Sequence, residues 1–203
     1  RGNIMHHYDP SSEIQDYLVF GEYGDVNPSI TDSSTYTFLN PQTMNDLFDH
    51  EIEGCFLYSR HWNPTNKYLA QALAKLEDSE AAIVTASGMG AISCAILQLC
   101  GSGDEIVSSR TIYGGTYAFF KNFLPKYGIT VKFVNTQDLK AVKTAITKKT
   151  KVIYCESISN PLLEIADISK LSKLANQHII KLMVDNTFSP IIIYPIRLGA
   201  HIV

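Results

Sequence analysis

Four polar segments of this sequence each come shortly after an apolar run. They are Ser87-Gly88-Met89-Gly90, Tyr113-Gly114-Gly115-Thr116, Glu156-Ser157-Ile158-Ser159-Asn160-Pro161 and Asp185-Asn186-Thr187. If the apolar runs are strands of an open α/β sheet, their carboxyl ends meet at one edge, and ligands of such sheets bind at that edge. The sequence therefore predicts a single binding site built from small, polar and ionisable side chains.

The segment Ser87-Gly88-Met89-Gly90 turns the chain from a predicted strand into a predicted helix. A helix that starts at a glycine turn presents free backbone N–H groups and the positive end of the helix dipole, and this combination suits a phosphate. The segment is neither a GxGxxG fingerprint nor a P-loop with its lysine. The glycines also fit a tight strand-to-helix turn without a ligand, so the spacing alone leaves both interpretations open.

Asp185 ends the apolar run Leu182-Met183-Val184, which is typical of a buried strand. A buried carboxylate is costly unless it is paired with a cation or well hydrogen-bonded. Asp185 is therefore either a turn or cap residue, or the partner of a protonated ring nitrogen or a metal ion. Tyr113 precedes two glycines that allow close approach to a ligand, and its ring suits stacking on a planar cofactor or packing in the core.

Tyr58 and Arg60 lie in a non-periodic stretch just before Asn63-Pro64-Thr65. The guanidinium group of arginine binds phosphate through two parallel hydrogen bonds, although most arginines are simply surface residues. The six histidines of the chain show no spacing typical of metal ligands, and we predict no metal site.

The elements that must position these segments alternate along the chain. Apolar runs typical of strands cover residues 81–86, 105–109, 129–134, 151–155 and 182–185. Helical patterns cover residues 65–77, 88–100, 116–127, 138–146 and 168–177. This alternation predicts an α/β domain with a mostly parallel sheet and helices on both faces.

Residues 1–50 are polar and irregular, with a short helix predicted from about Asn40. We predict that they form an extended N-terminal arm that makes inter-subunit contacts, and that residues 51–203 form a large domain. The chain starts at Arg1 and stops at Ile202-Val203, which resembles the beginning of a strand. We therefore expect this sequence to be a piece of a longer chain.

The composition excludes several classes of protein. The 203 residues are 45% hydrophobic and 18% charged with a net charge of −3, which is typical of a globular protein without electrostatic attraction to nucleic acid or anionic membranes. No apolar run approaches the roughly 20 residues of a membrane-spanning helix, and residues 1–7 lack the apolar core of a signal peptide. Four cysteines without a C-x-x-C pair predict reduced, buried thiols in a cytoplasmic protein.

In their order and spacing, these motifs resemble the Cys/Met-metabolism family of pyridoxal-phosphate (PLP) enzymes. That family includes methionine γ-lyase, cystathionine γ-lyase and β-lyase, cystathionine γ-synthase and O-acetylhomoserine sulfhydrylase. The resemblance covers residues 21–203 and also includes Tyr58-Ser59-Arg60-His61-Trp62-Asn63-Pro64-Thr65 and Leu198-Gly199-Ala200. It implies the PLP-dependent transferase fold type I, with the C-terminal small domain absent from this chain.

The resemblance implies that pyridoxal 5'-phosphate is the cofactor, and it assigns four residues to the phosphate, with Ser87 as a further cofactor-binding residue. The backbone amides of Gly88 and Met89 are expected to hold the phosphate. Tyr58 and Arg60 are expected to reach it from a neighbouring subunit. Active sites shared in this way imply a homotetramer arranged as a dimer of dimers.

The same resemblance assigns four residues to the PLP ring. Tyr113 is expected to stack on the pyridine ring and to move protons near the substrate amine, and Asp185 is expected to pair with the pyridinium nitrogen. Asn160 is expected to hydrogen-bond the phenolic oxygen, and Thr187 to pack beneath the ring. The family's Schiff-base lysine is expected beyond Val203, so this chain alone lacks one essential catalytic group.

The resemblance implies a PLP-dependent carbon–sulfur lyase that acts on sulfur amino acids. We expect γ- or β-elimination of methionine, cystathionine or cysteine, which gives a 2-oxo acid, ammonia and a thiol. The alternative is a γ-replacement enzyme, either cystathionine γ-synthase or O-acetylhomoserine sulfhydrylase, and a second alternative is a non-catalytic binding or assembly component with this fold. Gly115 replaces a cysteine common in methionine γ-lyases and Ala118 replaces an arginine typical of cystathionine γ-lyases, while residues 116–119 favour the methionine γ-lyase and sulfhydrylase branches.

Overall fold

The computed structural model describes residues 24–38, 40–49, 52 and 54–203. The chain divides into two compact units, of which the first ends at Val84 and the second runs from Thr85 to Val203. Residues 1–23 of the predicted arm lie outside the described residues. The boundary between an arm and a large domain at residue 50 stays a prediction.

Two helices form the regular structure described in the first unit. Helix α1 spans Pro41–Asp49 and helix α2 spans Pro64–Glu77. Asn63 caps α2, because its side-chain oxygen accepts a hydrogen bond from a backbone N–H of the first turn at 2.7 Å. Pro64 occupies the first helical position, where no N–H is needed for an intrahelical hydrogen bond. These local signals explain why the predicted helix begins where it does.

The second unit is built on a sheet of four parallel strands. The strands are β1 (Glu105–Ser109), β2 (Thr130–Val134), β3 (Thr150–Glu156) and β4 (Lys181–Asp185). Their order across the sheet is β2-β1-β3-β4, and each of the three pairings is parallel. Ile202 adds one parallel bridge to Met183, so the chain beyond Ala200 runs along the edge of β4. The four strands predicted in these regions are confirmed.

Helices connect the strands and cover both faces of the sheet. They are α3 (Gly88–Leu99), α4 (Gly114–Ala118), α5 (Leu139–Ala145) and α6 (Ile168–His178). Within the described residues, no helix has the length and apolar character needed to cross a membrane.

The helix predicted over residues 116–127 is broken into three pieces. Helix α4 continues into a π-helical turn at Phe119–Phe123 and then a 3₁₀ turn at Leu124–Tyr127. Pro125 accounts for the change, because it has no N–H to donate to the preceding turn and its ring clashes with an α-helical backbone. A single regular helix was therefore the wrong prediction for this region.

Side chains alternate along the strands and divide the core into two layers. In β3, Ile153 and Cys155 pack in the layer that α5 and α6 cover. Val152 and Tyr154 pack in the opposite layer, which includes buried side chains of α3. Successive residues of a strand face opposite sides, so an apolar run without polar interruption is what a doubly covered strand needs.

The strand predicted over residues 81–86 is not observed. These residues have irregular backbone, and Ile83 is 80% exposed. An apolar run becomes a strand only where an adjacent strand supplies hydrogen-bond partners, and no described strand pairs with these residues. The prediction was wrong because apolar composition indicates a preference for burial and carries no information on pairing.

The four cysteines are free thiols, and two of them are buried. Burial raises the pKa of Cys100 to about 11 and that of Cys155 to about 12, so both thiols stay protonated at neutral pH. Cys55 is half-buried and Cys94 is exposed, so the predicted burial is wrong for these two. Cys94 is exposed because the buried face of α3 is the one that carries Ile92, about half a helical turn away.

Ile179 ends helix α6 in a conformation that a branched side chain disfavours. Its backbone is left-handed, with φ 56° and ψ 41°, and the residue is 94% exposed. We predict that Ile179→Gly raises the free energy of unfolding by about 1 kcal/mol, because glycine adopts this conformation without a steric penalty. Urea denaturation of the full-length protein measures the change. Ile179→Val, which stays β-branched, should show no gain, and an equal gain in both variants would contradict the explanation.

Candidate active site

A cavity of about 430 Å³ opens at the carboxyl ends of β3 and β4. Seven of the residues singled out in the sequence line it: Ser87, Gly88, Met89, Tyr113, Asn160, Asp185 and Thr187. Four further residues complete its wall: Ile92, Glu156, Ile158 and Phe188. The volume is in the range of small-molecule sites. The structure thus brings the four polar segments together at one edge of the sheet.

Helix α3 points its N-terminus at this cavity. Ser87 caps the helix, and its hydroxyl oxygen accepts a hydrogen bond from the Gly90 N–H at 3.0 Å. The N–H groups of Gly88 and Met89 belong to the first turn, where an α-helix has no carbonyl acceptors of its own. These N–H groups and the positive end of the helix dipole favour an anion at this side of the cavity.

Asp185 ends β4, and both oxygens of its carboxylate accept hydrogen bonds. The Thr187 N–H donates to Oδ1 at 3.0 Å, and the Thr187 hydroxyl donates to the same oxygen at 2.5 Å. The Tyr154 hydroxyl donates to Oδ2 at 3.3 Å. Donors on both oxygens fix the orientation of the carboxylate beside the cavity.

Tyr154 is a residue of the site that the sequence analysis missed. It is wholly buried in β3. Burial, together with the negative charges of Asp185 and Glu156, raises the pKa of Tyr154, so its phenol stays protonated and donates to Asp185. Strand alternation could have found it, because residues two apart share a face and Tyr154 therefore lies on the same face as Glu156.

Glu156 is a second residue that the sequence analysis missed. It ends β3, lines the cavity and is 6% exposed. Its Oε1 accepts the Tyr113 N–H at 2.7 Å, and its Oε2 accepts the Asn160 N–H at 2.8 Å. Burial raises the pKa of Glu156 and the charge of Asp185 adds to this, while the two backbone N–H groups act in the opposite direction. Hydrogen bonds to backbone groups leave no pattern in the sequence, apart from an acidic residue that directly follows an apolar run.

Tyr58 and Arg60, the other two residues singled out in the sequence, belong to the first unit. The guanidinium carbon of Arg60 lies 5.1 Å from the centroid of the Tyr58 ring, which is a cation–π contact. Both residues are exposed. Within the first unit they form an exposed pair that presents a cation and a phenol side by side.

Comparison with known proteins identifies the protein family that matches this chain. Residues 16–203 match the family described as Cys/Met metabolism PLP-dependent enzyme. The chain belongs to this family. It is 44% identical over 201 residues to the methionine gamma-lyase of Arabidopsis thaliana, a match that covers 96% of this chain and 46% of the relative. It is 37% identical over 184 residues to the O-succinylhomoserine sulfhydrylase of Pseudomonas aeruginosa, covering 90% of this chain and 45% of the relative.

Solved structures share the fold at similar coverage. A putative O-acetylhomoserine (thiol)-lyase from Campylobacter jejuni, crystallised with a pyridoxyl-lysine phosphate, matches with a TM-score of 0.90 at 32% identity, over 95% of this chain and 48% of that one. The cystathionine gamma-lyase from Lactobacillus plantarum matches with a TM-score of 0.85 at 32% identity, over 95% of this chain and 49% of that one. These matches confirm the predicted PLP-dependent fold type I, and PLP is the cofactor of the family. The chain spans about half the length of the relatives that it matches.

Gly115 lies under the ring of Tyr113 at the start of α4. A Cβ atom at Gly115 would lie 2.5 Å from Cε1 of that ring, whereas a Cβ atom at Gly114 would meet nothing within 4 Å. We predict that Gly115→Ala turns the Tyr113 ring away from its present position, and that the matched variant Gly114→Ala leaves it in place. Crystal structures of the two full-length variants give the ring positions. An unmoved ring in Gly115→Ala would contradict the prediction.

Proposed function

We propose that the full-length protein is a PLP-dependent carbon–sulfur lyase that acts on sulfur amino acids. The reaction is γ- or β-elimination of methionine, cystathionine or cysteine, which releases a 2-oxo acid, ammonia and a thiol. The observation that carries the proposal is the single cavity that the N-terminus of α3 and the carboxylate of Asp185 both border. The identity to relatives named methionine gamma-lyase supports the choice of substrates.

The two sides of the cavity match the two ends of PLP in chemical type. A helix N-terminus suits the phosphate, and a fixed carboxylate suits a protonated ring nitrogen. The N–H groups of Gly88 and Met89, together with Ser87, would hold the phosphate. In the assembled protein, Tyr58 and Arg60 of a neighbouring subunit would add a phenol and a guanidinium group to the same phosphate.

The Asp185 side of the cavity would bind the pyridine ring. Asp185 would accept a hydrogen bond from the ring nitrogen, while Thr187 and Tyr154 keep the carboxylate oriented for this contact. A negative charge beside the nitrogen raises its pKa and keeps it protonated. When bound, PLP supplies an electron sink for the substrate α-carbon, whereas the protein supplies orientation and charge.

Asn160, Tyr113 and Thr187 would act on the remaining sides of the ring. The side chain of Asn160 would hydrogen-bond the phenolic oxygen, and Thr187 would pack beneath the ring. The ring of Tyr113 would stack on the pyridine. We also propose that the phenol of Tyr113, which borders the cavity, moves protons near the substrate amine.

A γ-replacement reaction is the second candidate function. The 37% identity to an O-succinylhomoserine sulfhydrylase and the structural match to a putative O-acetylhomoserine (thiol)-lyase favour it. Elimination and replacement differ in whether an incoming thiol captures the γ-carbon. A substrate assay separates the two candidates.

The proposed assembly is a cytoplasmic homotetramer, a dimer of dimers with shared active sites. The exposed Tyr58–Arg60 pair supports sharing, because an exposed cation and phenol are available to a neighbouring subunit. Free thiols are typical of a reducing compartment. Analytical ultracentrifugation of the full-length protein tests the assembly, and a fully active monomer would overturn it.

We predict that the full-length protein loaded with PLP releases a 2-oxo acid and a thiol from methionine, cystathionine or cysteine without an added acceptor. The measurement is product release from each amino acid, with O-acetylhomoserine plus sulfide as the parallel test for replacement. Homocysteine formation without elimination would favour the second candidate. Neither activity in a PLP-loaded protein would contradict both functions and would indicate a non-catalytic component.

A further inference from the structure

Glu156 connects two loops that follow neighbouring strands. The Tyr113 loop follows β1 and the Asn160 loop follows β3, and these two strands pair directly in the sheet. Glu156 accepts the backbone N–H of Tyr113 at 2.7 Å with one oxygen and the backbone N–H of Asn160 at 2.8 Å with the other. Tyr113 and Glu156 are 43 residues apart in sequence, so the side chain makes a long-range link across the mouth of the cavity.

This link requires a carboxylate of this length. A glutamate offers two acceptor oxygens, and both are used here by N–H donors. A glutamine side chain offers one carbonyl oxygen and one amide NH₂ group. One of the two backbone N–H groups would therefore face the NH₂ group, which is itself a hydrogen-bond donor. An aspartate keeps both oxygens but is one methylene shorter, so it cannot keep both contacts at their present lengths.

The placement of Glu156 is unfavourable in itself. The side chain is 6% exposed, and strand register pairs Glu156 with Asp185, which brings a second negative charge to the same sheet edge. Desolvation and the like charge both oppose the ionised form, and burial is the larger of the two effects. Two backbone N–H donors offset part of this cost. A buried carboxylate held in this way needs an explanation beyond packing.

We infer that Glu156 is a positioning residue that sets the separation between Tyr113 and Asn160 at the cavity. The inference rests on the proposed function only where it concerns PLP, because the hydrogen bonds themselves require no cofactor. Under that function, Tyr113 stacks on the ring and Asn160 contacts its phenolic oxygen. In this role Glu156 acts by holding the backbone from which both side chains extend.

The test compares Glu156→Gln with Glu164→Gln in the full-length protein. Glu164 lies on the same loop, and among the described residues its side chain makes only a 3.9 Å ion pair with the largely exposed Arg110, so its loss should leave the site unchanged. The first readout is hydrogen exchange of the Tyr113 and Asn160 amides, followed by mass spectrometry of the peptides that contain them. The second is the circular dichroism of bound PLP, measured together with kcat and KM.

For Glu156→Gln we expect amide exchange at one or both positions to accelerate about tenfold or more, as the loss of a charged hydrogen bond predicts. We also expect a changed PLP dichroism band and a lower kcat with KM nearly unchanged. Unchanged exchange would overturn the link, whether or not the protein binds PLP. Faster exchange with unaltered dichroism and kcat would overturn the positioning role. Failure of the wild-type protein to bind PLP would instead contradict the proposed function. In that case the amide exchange rates alone would test whether Glu156 links the two loops.

Discussion

The site depends on one carboxylate that is held at the end of a buried parallel strand. Asp185 receives hydrogen bonds from Thr187 on one oxygen and from Tyr154 on the other, so its orientation is fixed before any ligand arrives. A preorganised charge of this kind acts without reorganisation when the ligand binds. Packing of β4 against its neighbours holds the backbone of Asp185 in place, because the side chains of Leu182 and Val184 in the same strand are fully or almost fully buried.

The sheet register gives two adjacent carboxylates different environments. Glu156 and Asp185 end paired strands at the same level, yet Glu156 is engaged by two backbone N–H groups and Asp185 borders the cavity beside hydroxyl donors. Neighbouring acids whose surroundings differ in this way can serve different tasks. One acid maintains the shape of the cavity, and the other is available to a cationic group inside it.

The sequence was sufficient for the parts of the fold that follow from local patterns. Short runs that contain apolar residues identified β1 to β4, and the polar segments after β1, β3 and β4 correctly indicated one shared edge. Pattern alone failed at residues 81–86, where no described strand supplies hydrogen-bond partners, and at Pro125, which breaks a helix. It also missed Tyr154 and Glu156, because Tyr154 contacts Asp185 and Glu156 contacts the Tyr113 N–H, and these partners lie 31 and 43 residues away in sequence.

The protonation state of the cofactor ring nitrogen tests the role of Asp185 directly. Nitrogen-15 NMR of the full-length protein, loaded with PLP labelled at that nitrogen, reports it without reference to turnover. We predict that the nitrogen is protonated at neutral pH in the wild type and unprotonated in Asp185→Asn, a change that keeps the shape of the side chain and removes its charge. An unprotonated nitrogen in the wild type, or a protonated one that persists in Asp185→Asn, would contradict the role of Asp185.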